Sequence, residues 1–274
     1  QRITFQAPVG SQYWNSISLI NSPGTNRFKY CDFMNAQTAI GMGAYSAQEY
    51  SPVLVAEIMS CTFSNCLSQA VYGEGAGNGG CCWWSSTGTI VPVVKNCYFQ
   101  AVHGGCRFYI RSQTPCYYGG IGYARPVIVD NVFCDVTNAA ISMEVGDCPG
   151  SSPAISINNT FIRCGIAVST TDPWDVQVQD NIFSGCTNAV KVSGSLTRTV
   201  SYNDFFGNAT NFTGLPPSYG QVIIANRNGT PCDLFYNIFQ NPLFVATDDL
   251  HLTASSPCID AGSPNPIYND VCID

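Results

Sequence analysis

The hydrophobic and polar positions of this chain repeat a short unit, which is Asn or Cys, then any residue, then Phe. The eight units occupy residues 31–33, 61–63, 97–99, 131–133, 159–161, 181–183, 203–205 and 237–239. Their Phe-to-Phe spacings are 30, 36, 34, 28, 22, 22 and 34 residues, so 22 residues is the basic repeat and the excess is insertion. Self-similarity of this kind indicates stacked coils, each burying its apolar face against the next.

Two further apolar runs accompany most units. A Val/Ile-rich stretch such as 127–129 precedes the unit, and an Ala followed by an aliphatic residue, such as Ala140-Ile141, follows it. Three short β-type runs with polar corners predict an all-β fold, a right-handed parallel β-helix (solenoid) of about eight or more coils. Equivalent strands would then lie about 4.8 Å apart along the axis.

Stacked coils place like residues above one another. The Phe residues would form an internal column, and five Asn would form a ladder of side-chain amides at one corner. The ladder residues are Asn131, Asn159, Asn181, Asn203 and Asn237, and Cys31, Cys61 and Cys97 continue the column at its N-terminal end. The main alternative is an antiparallel sandwich, which does not require the same residue type in every coil.

The repeat covers nearly the whole chain, which predicts a single domain over 1–274. Residues 1–14 are expected to form an N-terminal edge or cap, 15–245 the coils, and 246–274 a C-terminal closing segment.

The Asn-x-Phe coils resemble those of the secreted right-handed parallel β-helix (pectin-lyase-like) repeat proteins. The stretches 241–244, 251–252 and 256–262 are similar to a closing motif of extracellular members. The resemblance implies a fold and names no substrate, because this fold carries many functions.

Composition narrows the possible partners. Charged residues make up 11% of the chain, the net charge is -7, and the basic residues are scattered. This argues against nucleic acid and against an anionic membrane surface. No apolar stretch approaches the roughly 20 residues of a membrane span. No cofactor and no metal site are expected, since Cys81 and Cys82 are adjacent, no C-x2-C pair occurs and only two His are present.

The chain begins at Gln1 and contains 15 Cys. A removed signal peptide and an oxidising compartment would explain both features, which predicts a secreted, extracellular or cell-surface protein. Cys164 and Cys186 each follow their Phe by three residues on adjacent coils, at a spacing that a disulfide accepts. Other candidate pairs are Cys106–Cys116, Cys134–Cys148 and Cys258–Cys272. The alternative is an internal stack of reduced Cys, which packs well as a small hydrophobe.

Insertions fall mainly at one corner of each coil, at about 43–52, 74–90, 111–124 and 144–152, with short ones near 169–174 and 193–197, so loops are expected to cover one side of the stack. Aromatic residues concentrate there and could contact carbohydrate or neighbouring subunits. They are Tyr45, Tyr50, Trp83, Trp84, Tyr117, Tyr118 and Trp174. Sequons at Asn158, Asn208, Asn211 and Asn228 are candidate N-glycosylation sites, with Asn158 the least favoured.

Signals for catalysis are weak. The catalytic motifs of pectin-type hydrolases are missing, and the closest grouping for a lyase is His103, Arg107 and Arg111 near Asp130 on the next coil. Asp172, Asp175 and Asp180 around Trp174 form a second weak grouping, and ordinary surface charge is the simpler explanation of both.

The sequence therefore predicts a non-catalytic function first. This is an extracellular structural or adhesive β-helix protein, possibly a self-assembling fibre subunit, whose aromatic loop face contacts carbohydrate or copies of itself. The alternative is a polysaccharide lyase or glycoside hydrolase with a divergent active site.

Overall fold

The computed structural model describes residues 2–47, 50–79, 85–113, 120–146, 152–171, 174–194 and 199–265. Within these ranges the chain is all-β and contains no helix, so none that could cross a membrane was found there. The strands are β1 (Ile3–Phe5), β2 (Ile17–Ile20), β3 (Thr25–Lys29), β4 (Cys31–Met34), β5 (Thr38–Tyr45), β6 (Val53–Met59), β7 (Thr62–Ser64), β8 (Gln69–Gly79), β9 (Ser85–Lys95), β10 (Tyr98–Gln100), β11 (Gly104–Ser112), β12 (Ile121–Ala124), β13 (Val127–Val129), β14 (Val132–Cys134), β15 (Ala139–Val145), β16 (Ser152–Ile157), β17 (Thr160–Ile162), β18 (Ile166–Thr171), β19 (Trp174–Gln179), β20 (Ile182–Ser184), β21 (Asn188–Ser193), β22 (Thr199–Ser201), β23 (Asp204–Phe206), β24 (Thr210–Thr213), β25 (Ile224–Ala225) and β26 (Pro231–Cys232).

Three parallel runs of strands organise the chain. The Phe sheet has the order β1-β4-β7-β10-β14-β17-β20-β23. The Ala run has the order β2-β5-β8-β11-β15-β18-β21-β24, and the Val run has the order β3-β6-β9-β13-β16-β19-β22. The two latter runs join into one 16-stranded sheet through a short antiparallel contact of β8 with β9, at Asn78↔Ser86 and Gly79↔Ser85. The chain thus returns to each run once per repeat.

The predicted Phe column is confirmed. Register pairs Phe161 with Phe183, and Phe183 with Phe205. Seven successive ring pairs from Phe5 to Phe205 are stacked, with centroids 4.5–5.1 Å apart and interplanar angles of 4–10°. Phe5 belongs to this column although Ile3 stands where the repeat has Asn or Cys. The rings fill the interior, since Phe33 to Phe183 are fully buried.

Two left-handed corners enclose each strand of the Phe sheet. Residues that precede the Asn or Cys of the unit, such as Asp130 and Tyr202, have φ between 53° and 62°. Residues two positions after the Phe, such as Asn35 and Gly185, have φ between 50° and 68°. Asn, Asp and Gly adopt this conformation most readily, which explains the polar corners of the repeat.

The asparagine ladder is also confirmed. Asn159 Nδ2 donates to Asn181 Oδ1 at 3.1 Å, and Asn181 Nδ2 donates to Asn203 Oδ1 at 3.0 Å. The same link joins Asn131 to Asn159 and Asn203 to Asn237. All five side chains are at most 1% exposed. Because each amide both donates and accepts, a fully buried polar column remains satisfied.

The predicted disulfide staples are not seen among the residues that the structure describes. Ten cysteines are described, and all ten are free: Cys31, Cys61, Cys66, Cys97, Cys106, Cys134, Cys164, Cys186, Cys232 and Cys258. Cys164 Sγ donates to Phe133 O at 3.5 Å and Cys186 Sγ donates to Phe161 O at 3.8 Å. Both thiols therefore bond to backbone carbonyls of the preceding coil, which matches the alternative of stacked reduced cysteines. The predicted partners Cys116, Cys148 and Cys272 lie outside the described residues.

Much of the predicted loop layer is strand. The glycine-rich segment at residues 73–79 belongs to β8, and β9 begins at Ser85. A Cβ atom at Gly75 would overlap the backbone of Tyr123, and one at Gly88 would overlap the backbone of Ala44. The glycines are therefore required because the Ala and Val runs approach each other backbone to backbone beyond the core.

The two ends of the stack differ. At the N-terminal end, Ile3 is 59% and Ile20 64% exposed, and β1, β2 and β3 each pair with a strand on one side only. At the other end Phe212 and Phe239 cover the ring of Phe205. Residues 214–265, which carry only the short β25–β26 pair, pack there, so the closing segment begins before the predicted residue 246, and residues 266–274 of the prediction lie outside the described residues. One end is therefore an open set of strand edges and the other is covered.

Candidate functional site

The densest group of polar and aromatic side chains lies on the outer face of the Ala run, across β5, β8, β11 and β15. Alternation along β11 buries Cys106, Phe108 and Ile110 and directs the residues between them outward. We call this group the Tyr-Arg-Glu patch, which consists of Tyr45, Tyr72, Glu74, Arg107, Tyr109, Arg111, Ser142 and Glu144.

Strand register brings the patch together from distant parts of the chain. Arg107 lies opposite Tyr72 on one side and Ser142 on the other. Tyr109 lies opposite Glu74 and Glu144 in the same way. Each step between neighbouring strands is about 4.8 Å, so the two glutamates flank the tyrosine on a rigid three-strand platform.

Two ion pairs fix the charged groups. Arg107 binds Glu144 through two hydrogen bonds, from Nε at 3.1 Å and from Nη2 at 2.6 Å. Arg111 Nε donates to Glu74 Oε1 at 2.5 Å, and Ser142 Oγ donates to Glu144 Oε1 at 2.6 Å. Two-pronged arginine–carboxylate pairs are among the strongest and most directional hydrogen bonds in proteins. The patch is therefore preorganised.

Two of the three tyrosines in the patch are held by the carboxylate of Glu74. Tyr45 and Tyr72 each donate a hydroxyl hydrogen bond of 3.1 Å to Glu74 Oε2, and the guanidinium of Arg107 lies 5.9 Å from the centre of the Tyr72 ring. Burial, followed by the charge of Glu74, raises the pKa of Tyr45 to about 12, and the same causes raise the pKa of Tyr72. Both phenols therefore stay protonated at neutral pH.

The arginines also keep their protons. The hydrogen bond with Glu74 raises the pKa of Arg111 above its ordinary value. Burial opposes the charged form of Arg107, but the bonds with Glu144 outweigh it and raise its pKa as well. Neither group can act as a base near neutral pH.

Two glycines make room for the tyrosine rings. A Cβ atom at Gly43 would overlap the ring of Tyr45, and one at Gly146 would overlap the hydroxyl of Tyr109. Both rings therefore lie against glycine backbone, and a larger residue at Gly43 or Gly146 would displace one of them.

The predicted lyase grouping is only partly assembled. Arg107 and Arg111 share the patch, whereas His103 precedes β11 and its Nδ1 lies 3.1 Å from Thr137 Oγ1. Four residues of extended chain, about 13 Å, separate His103 from Arg107. Asp130 lies at another corner and forms an ion pair with Lys95 at 3.0 Å.

Of the predicted aromatic contact residues, the structure places one in the patch. Tyr45 belongs to the patch, and Tyr50 is 48% exposed and pairs with Ala47 through the backbone. Trp174 is the first residue of β19. Trp83, Trp84, Tyr117 and Tyr118 lie outside the described residues. Sequence reasoning missed Tyr72, Tyr109, Glu74 and Glu144, although the in/out alternation of β11 at 106–111 was a readable signal.

The sequons occupy different settings. Asn208 is already committed to the fold, because its Nδ2 donates to Phe183 O at 3.0 Å and its Oδ1 accepts from Cys186 N. Asn211 Oδ1 accepts from Asn208, and Asn158 occupies a left-handed corner. Asn228 is exposed and its Nδ2 donates to Ile259 O at 2.8 Å.

A second polar region lies between the stack and the closing segment. It forms a groove of about 1020 Å³. Asp180 Oδ1 accepts from Ser263 N at 2.7 Å, and Asp204 accepts from Gln240 N and Cys258 Sγ. Burial raises the pKa of Asp204 to about 7. Since both carboxylates bind the closing segment, we assign them a role in holding it. Asp172 lies outside the described residues, and Asp175 is exposed.

No group of three or more His, Cys, Asp or Glu side chains suited to a metal ion occurs among the residues that the structure describes. Comparison with protein-family models, curated proteins and solved structures gave no match for this chain.

Proposed function

We propose that this chain is a right-handed parallel β-helix protein that binds carbohydrate on the outer face of its Ala run. The handedness follows the strong preference of parallel strand connections, and three parallel runs with one strand from each repeat support the solenoid. The observation that carries the binding proposal is the Tyr-Arg-Glu patch itself.

The patch has the chemistry of a sugar-binding surface. Tyr72 and Tyr109 offer half-exposed rings, and flat rings suit the apolar faces of pyranoses. Arg107, Arg111 and Glu144 place directional donors and acceptors beside these rings. Because ion pairs and register hold every group in place, ligand binding would order few side chains and its entropic cost would be small.

Binding fits the patch better than acid–base catalysis. Glu74 accepts from three side chains, and both oxygens of Glu144 already accept hydrogen bonds. A general acid needs a proton to give, and a base needs a free lone pair near the substrate. The raised pKa values of Tyr45, Tyr72 and both arginines make these groups poor proton donors near neutral pH, and the two carboxylates are already occupied as acceptors.

Affinity electrophoresis in gels that contain soluble polysaccharides tests this proposal. Tyr109→Ala is expected to weaken retardation about tenfold or more, because an aromatic contact contributes about 1.5 kcal/mol. Tyr98→Ala is the matched control, since Tyr98 lies on the same repeat in the Phe sheet. Equal loss in both variants, or no retardation of the wild type by any polysaccharide, would overturn the proposal.

Association of copies is a second candidate, favoured by the open strand edges of the N-terminal end. The closing segment covers the opposite end, so two copies would meet head to head through β1, β2 and β3 rather than grow as a head-to-tail fibre. Sedimentation of Ile20→Lys against the wild type tests it. A concentration-dependent dimer that the charge abolishes would support association, and a wild-type monomer at high concentration would refute it.

A secreted location is proposed from composition and resemblance alone. The ten described cysteines are free, so they lend no support to an oxidising compartment.

A further inference from the structure

We infer that the glycan bound by the Tyr-Arg-Glu patch is uncharged, which excludes polyuronates and sulfated polysaccharides. This inference rests on the proposed carbohydrate-binding function. It concerns the substrate class, and it follows from how the charges of the patch are paired.

The patch contains two cations and two anions, and each is neutralised inside the patch. Arg107 is bound by Glu144 at 2.6 Å, and Arg111 by Glu74 at 2.5 Å. Glu74 is only 7% exposed, so its charge depends on Arg111 and the tyrosine hydroxyls. Removing a partner from such a buried charge is costly. Neither arginine of the patch therefore carries an unpaired charge that would attract an incoming anion.

A uronate carboxylate at this surface would meet opposing forces. To form a two-pronged contact with Nε and Nη2 of Arg107 it would have to displace Glu144, and at the other N–H groups it would share a charge that Glu144 already neutralises. If it bound anywhere between β8 and β15, it would lie near Glu74 and Glu144, and the like charges would repel it. The net charge of -7 adds to this repulsion at a distance.

A hydroxyl group meets no such opposition. Arg107 uses Nε and one Nη2 contact for Glu144, and a guanidinium has five N–H donors in total. A sugar hydroxyl can accept from the remaining N–H groups without disturbing either ion pair. The partly exposed rings of Tyr72 and Tyr109 would contact the apolar faces of the sugar rings.

Gels that contain neutral glucan, xylan or galactomannan, compared with gels that contain polygalacturonate or alginate, test this inference at about 0.15 M salt. The wild type is expected to be retarded by at least one neutral polymer and to migrate unchanged with both polyuronates. If a polyuronate retards the wild type more than every neutral polymer does, the inference is overturned and the proposed function stands. If no polymer retards it, the proposed function itself fails.

The variant Glu144→Gln isolates the cause, because it keeps the shape of the side chain and releases the charge of Arg107. Polyuronate retardation is expected to appear, with at least a tenfold gain in affinity relative to the neutral polymer. An unchanged preference in a folded variant would contradict the role of this ion pair.

The variant Ser169→Lys gives an independent reading should Glu144→Gln fail to fold. Ser169 is in register with Ser142 and Lys191 on the same face, and it belongs to neither ion pair. An unpaired cation at the margin of the patch should create several-fold polyuronate retardation. If it does not, charge balance is not what selects the glycan.

Discussion

The same corner column is built from cysteine in the first three repeats and from asparagine in the next five. Cys97 Sγ donates to Lys95 O at 3.3 Å and to Ile58 O at 3.5 Å. Asn131 Nδ2 donates to the two equivalent carbonyls, of Val129 at 3.0 Å and Val94 at 2.9 Å. Thiol and amide therefore perform one task, which is to satisfy the carbonyls of a left-handed corner.

The two halves differ in what links one coil to the next. An asparagine side chain also passes a strong amide hydrogen bond to the next asparagine and accepts the backbone N–H of the previous coil, as Asn131 does for Cys97. A thiol is a weak donor and a weak acceptor. The asparagine half is thus a continuous polar network, and the cysteine half is closer to an apolar column with weak polar contacts.

Breaking the asparagine network should have the largest effect. Asn181→Ala removes three donated bonds, to Ser156 O, Gln179 O and Asn203 Oδ1, and the acceptor of Asn159. Because several buried groups lose their partners, we expect a loss of about 4 kcal/mol in the free energy of unfolding. Urea denaturation measures it as a lower midpoint at constant slope.

Cys61→Ala is the matched control for that substitution. Cys61 Sγ donates to Met59 O and Phe28 O, at 3.3 and 3.5 Å, and contacts the thiols of Cys31 and Cys97. We expect a loss of about 1 kcal/mol, since thiol hydrogen bonds are weak. Equal losses in the two halves would show that the amide links contribute nothing beyond the thiol contacts.

The sequence predicts which side chains stack in this column, but not the oxidation state of its cysteines. Repeat spacing was sufficient to place Asn131, Asn159 and Asn181 in one ladder and Phe161, Phe183 and Phe205 in one stack, because identical residues at one coil position must stack. The state of Cys164 and Cys186 did not follow from spacing. The Cα separation of adjacent coils permits both a bridge and two thiols, and which one forms depends on where each Sγ points.

The candidate site was less predictable for a related reason. Arg107 and Arg111 were recognised as neighbours on one segment, but Tyr72, Glu74 and Glu144 come from other repeats. Their contacts depend on which residues of β8, β11 and β15 lie opposite one another. The insertions lengthen these strands, so the pairing cannot be read from the repeat spacing. Repeats of equal length align by inspection, whereas repeats of 30 to 36 residues do not.

The asparagine half also carries the closing segment, and the carboxyl of Asp204 beneath it gives that half a pH-dependent stability. Asp204 is buried under that segment and its pKa is raised to about 7, against about 3.9 when unfolded. The folded state therefore binds the extra proton between these values. The stabilising contribution is complete below pH 4, falls as the pH rises, and is lost above pH 7.

Asp204→Asn should remove this dependence. The amide keeps an acceptor for Gln240 N without a charge to bury, so we expect the variant to be more stable than the wild type at pH 8, by about 2–4 kcal/mol. Urea midpoints at pH 5 and pH 8 measure it. Asp32→Asn, in the N-terminal repeats, is the control. A pH profile that Asp204→Asn leaves unchanged would contradict the raised pKa.

Extending the asparagine ladder by one coil should have a smaller, opposite effect. In Cys97→Asn the new amide reaches the carbonyls of Lys95 and Ile58 and can donate to Asn131 Oδ1, which already accepts Cys97 N. We expect stabilisation of about 1 kcal/mol, measured by urea denaturation.

Cys66→Asn provides the contrast to that extension. Cys66 lies in a second column of buried residues, between Ala36 and Val102, where a new amide finds no side-chain partner. This variant should gain less stability than Cys97→Asn, because its amide can bond only backbone groups, of the kind that Asn208 bonds at the equivalent position of a later repeat. Equal stabilisation of both variants, or of neither, would show that the ladder partner Asn131 does not decide the outcome.

Counting reactive thiols tests whether the stacked cysteines are reduced or joined in disulfides. Nine of the ten described cysteines are buried, and burial raises the pKa of Cys66 to about 11. At pH 8 a thiol reagent should react slowly with the native protein, because it cannot reach sulfurs inside the stack. After unfolding in guanidinium without reductant, at least ten thiols per chain should react. A count below ten would mean that some of these stacked sulfurs are oxidised. If the double variant Cys164→Ser, Cys186→Ser shows no such shortfall in reactive thiols, the bridge joins these two cysteines, which is the pair that the repeat spacing favours most.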